Sequence, residues 1–354
     1  MTKRSVALGI LAILVVGALA LYGYRRFGVS GPSARDQLLG EMPAGASAVL
    51  FLDLDALRQS PFLAELYKWA PEPKADPDYA QFLKSSGFNY ETDLSRVSVA
   101  VMKHGQESDL FAVADGKFDR KKISAYASET GTRISRGGRE IFSVPISGSA
   151  RRITFTFLGN NRMALTNGTS LEATLSEPPG GSDREAWRER FRRLAGSQVF
   201  AVVRQDRGAG AALSARAPGG LQSPQLSALI DQLQWITVAG KTEGDRLRVV
   251  TEGEGSSDAP ARQLSDVLNG LLVLAQAGLH AEKLRHELPP EVREAYLELL
   301  KSADVSEIDR GETKSVRLIL DVTPEFLEAA RASIPAAPAA PQNKSLPNKS
   351  TIRN

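Results

Sequence analysis

From Val6 to Tyr24 the chain runs without a single charged side chain, bracketed by Lys3 and Arg4 before it and Arg25 and Arg26 after it. At about 1.5 Å of rise per residue such a run makes a helix close to the roughly 30 Å depth of bilayer hydrocarbon. A helix satisfies its own backbone hydrogen bonds, so it is one of the few structures that lipid tolerates. The segment therefore commits the chain to a membrane, as an anchor or as a signal on the way across. Ala18-Leu19-Ala20 offers a cleavage-like pattern. The apolar character nevertheless continues to Tyr22 and Tyr24 and ends in two arginines, as an uncleaved span does. The expectation is a single-pass signal-anchor at 1–27, amino terminus in the cytoplasm and body outside it (periplasmic), with cleaved secretion as the minor alternative.

Charge is unevenly placed along the chain. The formal net charge is +3. The two ends supply the excess base, and residues 28–333 carry a net −4. A nucleic-acid-binding domain needs a basic folded surface with aromatics among the basic residues, so nucleic acid is not an expected partner. The membrane is the expected partner, with an envelope protein as a further candidate. The chain has no cysteine. That excludes thiolate metal sites, cysteine nucleophiles and a lipid-modified amino terminus. The stretch 334–354 is rich in proline, alanine, asparagine and lysine, with almost nothing to bury, and is expected to be disordered.

The segments between anchor and tail read as intermixed strands and helices. Residues 28–40 read as a tether, 41–196 as one half and 197–333 as a second. Ala46–Leu54 is a short bounded apolar run, hence a buried strand, and Ser60-Pro61 then opens a helix with serine as N-cap. Short strands separated by Gly137-Gly138 and Asn160-Asn161 follow. Gln59-Ser60-Pro61-x-Leu63-x-x-Leu66 recurs as Gln222-Ser223-Pro224-x-Leu226-x-x-Leu229, which suggests a divergent duplication. The absence of strict βαβ alternation points to an α+β fold with two related mixed, largely antiparallel halves. The layout resembles uncharacterised bacterial single-pass membrane-anchored proteins with a duplicated α+β body, a resemblance that implies no activity and no functional residues.

Val49-Leu50-Phe51-Leu52-Asp53-Leu54-Asp55 is the most suggestive chemistry. An apolar strand ending in D-x-D resembles the first motif of haloacid-dehalogenase phosphatases, which would make one of Asp53 and Asp55 the nucleophile and the other the acid/base. Ala56-Leu57 departs from that family's pattern, and no partner lysine or downstream acidic pair is evident. Asp55 as a helix N-cap is the structural expectation. Gly240-Lys241-Thr242 lacks the upstream glycine of a P-loop, having Trp235 there. Gly208-Ala209-Gly210 lacks the rest of a dinucleotide fingerprint. The three histidines, His104, His280 and His286, do not share ligand spacing. Neither a cofactor nor a metal is expected.

Ser182–Leu194 is the remaining surface. Ser182 and Glu185 suggest a capping box, and Trp187, Phe191 and Leu194 form a core stripe. Arg184, Arg188 and Arg192 recur every four residues on another face, a candidate contact for anionic headgroups or an acidic partner. Neighbouring acids could equally pair with them. The sequence thus predicts a non-catalytic envelope module that binds or scaffolds, with a membrane-tethered hydrolase using Asp53 and Asp55 as the alternative.

Overall fold

The computed structural model describes residues 32–332 apart from 44, 70–76, 105–106, 147–150, 169–170, 177–180, 194–195, 206–227, 256, 282–287 and 310–313. The apolar segment at 1–27, the glycine loop at 208–210, the second Ser-Pro start at 223–224, His286 and the tail at 334–354 lie outside the described residues.

Among the described residues twelve strands form one sheet, in the order β11-β12-β10-β9-β8-β1-β2-β3-β7-β6-β5-β4. Every described pairing is antiparallel. The first part contributes β1 (Ala48–Asp53), β2 (Leu94–His104), β3 (Glu107–Gly116), β4 (Thr132–Arg136), β5 (Arg139–Pro145), β6 (Arg152–Phe157) and β7 (Arg162–Thr166). The second contributes β8 (Val199–Arg204), β9 (Leu233–Glu243), β10 (Arg246–Gly255), β11 (Asp304–Asp309) and β12 (Lys314–Val322). The α+β class and the antiparallel pairing follow the sequence reading. The two related halves of that reading are not separate layers, because their strands belong to a single sheet. β1 pairs with β8 from Ala48↔Val203 to Leu52↔Val199, which fuses the halves edge to edge at the centre of one sheet.

The period-2 alternation of strand side chains divides the core into two layers. On one face Val49 and Phe51 of β1 join Ala100, Phe111, Val113, Phe200, Val202 and Trp235. This layer is covered by α1 (Pro32–Gly40), α7 (Leu171–Ser176) and α8 (Gly181–Arg192), through Leu38, Leu39, Leu171, Trp187 and Phe191. Residues 32–40 therefore correct the tether reading. Leu38 is fully buried and Leu39 nearly so, and burying a leucine contributes about 1.5–3 kcal/mol, which a free linker would not gather. Only two large apolar side chains, Leu38 and Leu39, mark this short helix in the sequence.

On the opposite face Leu50 and Leu52 meet Leu54, Leu57, Phe62, Leu63, Leu66 and Leu327. These come from α2 (Leu54–Arg58), α3 (Pro61–Trp69) and α11 (Pro324–Ala332). Beside them α4 (Pro77–Ser86), α5 (Tyr90–Asp93) and α6 (Arg120–Thr130) cover an aromatic group that includes Phe88, Phe142 and Phe155. On the far side α9 (Asp258–His280) lies over Ile236, Val305 and Val316, with α10 (Pro290–Ser302) packed on α11 through Val292, Ala295 and Ala329. No helix among the described residues is long and apolar enough to cross a membrane.

Two glycine positions matter to the sheet. Gly137 and Gly138, at φ +55° and +73°, make the two-residue turn between β4 and β5, where both central residues need positive φ. Gly253 in β10 sits where a Cβ would lie 2.8 Å from Leu233 Cδ1, so the strand can carry only glycine there without displacing the leucine. Ser60 differs from its expected role. Its hydroxyl is buried without a hydrogen-bond partner, so the α3 start rests on Pro61 and the backbone rather than on a serine cap.

Candidate functional site

β1 delivers Asp53 and Asp55 to the point where the strand turns into α2. The cap of that helix is Asp53, whose Oδ1 accepts from Ala56 N at 3.0 Å, and not Asp55 as the sequence suggested. Asp55 lies in the first turn and accepts from Arg58 Nη1 at 2.6 Å, and both side chains are buried. Arg58 also donates to the Leu94 carbonyl, which ties α2 to β2. A carboxylate two residues past the cap, already inside a five-residue helix, cannot cap it, and the short D-x-D spacing hid which of the two would.

Asp53 belongs to a larger arrangement that the sequence did not disclose. In the register of the sheet Asp53 of β1 stands opposite Arg96 of β2, Arg96 opposite Asp115 of β3, and Asp115 opposite Arg162 of β7. The separations are 3.5 Å from Arg96 Nε to Asp53 Oδ2, and 3.9 Å from Arg96 Nη1 to Asp115 Oδ2. Arg162 grips Asp115 with two bonds of 2.7 and 3.0 Å. Directly opposed charges of opposite sign stabilise a strand pair, and here four strands share one alternating row. Burial pushes the Asp53 carboxyl above its usual range, partly offset by the Ala56 hydrogen bond and the Arg96 charge. No lysine among the described residues is paired with Asp53 or Asp55. Among the described residues no group of three or more His, Asp or Glu is placed to hold a metal.

The arginine-rich helix α8 splits into two kinds of arginine. Arg188 and Arg192, both predicted as contact residues, are exposed, and Arg192 is 3.7 Å from Glu185. The side chain of Arg184 lies outside the described residues, as does that of Ser182, which is the second residue of the helix rather than its cap. Arg188, Phe191 and Arg192 face Asp36, Gln37, Leu39 and Gly40 of α1 across a cleft of about 270 Å³. That is slightly below the roughly 300–1,000 Å³ typical of small-molecule pockets. Beneath it, Arg35 donates to the Phe191 carbonyl at 3.0 Å and lies 4.2 Å from the Phe200 ring centre. Burial draws its guanidinium down to about 10, still well above neutrality, so it stays charged.

Arg190 and Arg193 turn inward instead. Arg190 binds Glu254 of β10 with bonds of 3.0 and 2.6 Å and stacks 4.0 Å from the Trp235 ring centre. Arg193 reaches Glu254 at 2.6 Å and Glu189 at 2.6 Å. Arg317 of β12 holds the fully buried Glu252 at 2.8 and 2.5 Å. This network clamps a helix of the first half onto strands of the second. Its sequence signal was available: Glu252-Gly253-Glu254 within a strand sets both glutamates on one face. Gly240-Lys241-Thr242 lies inside β9.

No family model matches the chain, and no curated protein matches it. Among solved structures it is similar to crystal forms of TP0453. With form IV it shares 10% identity at a TM-score of 0.45, over 86% of this chain and 100% of that one. With form I the values are 11% and 0.41, over 83% and 96%.

Proposed function

We propose that the chain is a non-catalytic module of the cell envelope, held at the membrane by residues 6–24 and presenting its sheet-and-helix body outside the cytoplasm to bind or scaffold. The observation that carries the non-catalytic reading is the occupation of the candidate carboxylates. Asp53 caps α2 and closes a four-strand charge row, while Asp55 is committed to Arg58. A nucleophile must be approachable by substrate and paired with groups that move its proton, and neither carboxylate has that company. The order of the sheet also supports descent from a duplicated unit. Outward from the β1–β8 centre, each side begins with a hairpin (β2–β3 and β9–β10) whose outer strand pairs with one reached in the chain only after at least one helix and one further strand (β7 and β12).

Full-length protein assayed on a generic phosphoester, beside Asp53→Asn, tests the chemistry. No turnover above background in either is expected, and turnover that Asp53→Asn abolishes would overturn the reading. Fractionation of ruptured cells tests the anchor. Unprocessed chain is expected in the detergent-soluble membrane fraction, and its recovery in the supernatant would remove the membrane from the proposal.

A further inference from the structure

The two outermost strands of the sheet carry opposite charge. β4, at one end, reads Thr-Arg-Ile-Ser-Arg and holds two arginines and no acid. β11, at the other, reads Asp-Val-Ser-Glu-Ile-Asp and holds three acids and no base. The bias extends beyond the strands themselves. Residues 117–168, around β4, contain ten basic and three acidic side chains. Residues 258–322, around β11, contain eight basic and twelve acidic ones.

All five residues of β4 are exposed, Ile134 by 53%, and no described strand pairs with the outer side of β4 or of β11. An edge strand exposes backbone N–H and C=O groups that will pair with any extended chain unless something opposes it. Edge charges usually oppose it, and here they do so for like against like. Arg133 and Arg136 already lie against Glu140 and Glu172 of their own copy and Glu307 against Lys314, and solvated pairs of this kind are weak enough to be exchanged for a facing strand of opposite sign. Two copies joined β4 to β4 would bring four arginines into one strand pair, and two joined β11 to β11 would gather six carboxylates. Joining β4 to β11 instead opposes arginines with carboxylates along strands of five and six residues.

We propose that the chain associates with further copies of itself head to tail, the basic β4 edge of one copy adding to the acidic β11 edge of the next. The contact is heterologous, so it leaves a free edge at each end and builds an open row rather than a closed dimer. A single strand pairing is a small interface and weak in dilute solution. Confinement on a membrane raises the effective concentration of neighbours and brings such a contact into range. This deepens the scaffold reading, and its test needs neither the phosphoester assay nor the fractionation.

The cysteine-free sequence makes that test clean. Ser135→Cys in β4 and Ser306→Cys in β11 are made singly and together in the full-length chain, reconstituted in bilayers and treated with a short bis-maleimide. The doubly substituted chain is expected to give a ladder of multimers. Each single variant alone is expected to stay monomeric, and an equimolar mixture of the two to stop at the dimer. Arg133→Glu with Arg136→Glu should reduce the ladder at least tenfold, and adding Asp304→Lys with Glu307→Lys should restore it. Absence of the ladder, or dimers from Ser135→Cys alone, would overturn the proposal. So would a ladder indifferent to charge reversal. If the reversal instead abolishes binding to anionic vesicles while leaving no ladder to lose, the basic end is a lipid contact and the proposal fails.

Discussion

The row Asp53–Arg96–Asp115–Arg162 and the cluster Arg190–Glu254–Arg193 with Glu252–Arg317 are both made of arginines and carboxylates, yet they stand under different obligations. The row runs along strand ends and keeps some contact with water, its side chains between 14% and 23% exposed. In the cluster Glu252 is 0% and Glu254 5% exposed at the side chain. A charge that keeps some solvent loses less when a partner is removed than a charge with no water, which must be paired or pay several kcal/mol. The partly solvated row therefore orders strand register, while the dry cluster determines whether α8 can stay docked on β10. Charge count alone would rank the two alike, and burial separates them.

The sharpest way to break this contrast is Glu254→Ala, which leaves Arg190 and Arg193 facing each other without their shared acid. A loss of about 3–5 kcal/mol in denaturant unfolding is expected, as for other broken buried pairs. A loss under 1 kcal/mol would show that water enters the cluster. Gly253→Ala comes next. With 2.8 Å to Leu233 Cδ1 it should cost about 1–3 kcal/mol by overpacking, measured the same way, and Leu233→Ala in the same chain should relieve the clash while opening its own cavity.

Asp53 supplies a smaller effect with two signatures. Asp53→Ala removes the cap and should cost about 1 kcal/mol. Asp53→Asn keeps a capping side chain and should be close to neutral at pH 7. Its pH dependence follows from the raised pKa. The folded state holds the Asp53 proton more tightly than the unfolded chain, so this group stabilises the fold at low pH. That contribution declines as pH rises from the unfolded carboxylate pKa through the higher folded one. Asparagine should therefore flatten the stability profile across that interval, which urea titrations from pH 3 to 7 would resolve. Smallest of all, Arg188→Ala, on an exposed position, should stay within about 0.5 kcal/mol. A larger loss would mean that the α1–α8 cleft depends on it.

Much of the strand and helix order was legible because strong local signals agreed. The β4–β5 turn at Gly137-Gly138, the β11–β12 pair and the helix at Pro290 all stood out in composition and spacing. Ser60 shows the limit of such signals: Ser-Pro marks the start of α3 correctly, but whether the hydroxyl finds a backbone N–H depends on packing. The charge row could not be read at all, because its four members are spread from residue 53 to residue 162 and meet only through register. The arginines of α8 were half legible. Their period was plain, and which ones faced the core depended on β10, more than fifty residues downstream.

The fusion of β1 to β8 has a mechanical consequence. With the halves sharing a backbone-bonded seam instead of a linker, there is no hinge between them, and neither can swing or close on the other. What one end of the sheet feels is passed to the other as strain through a continuous lattice of backbone hydrogen bonds.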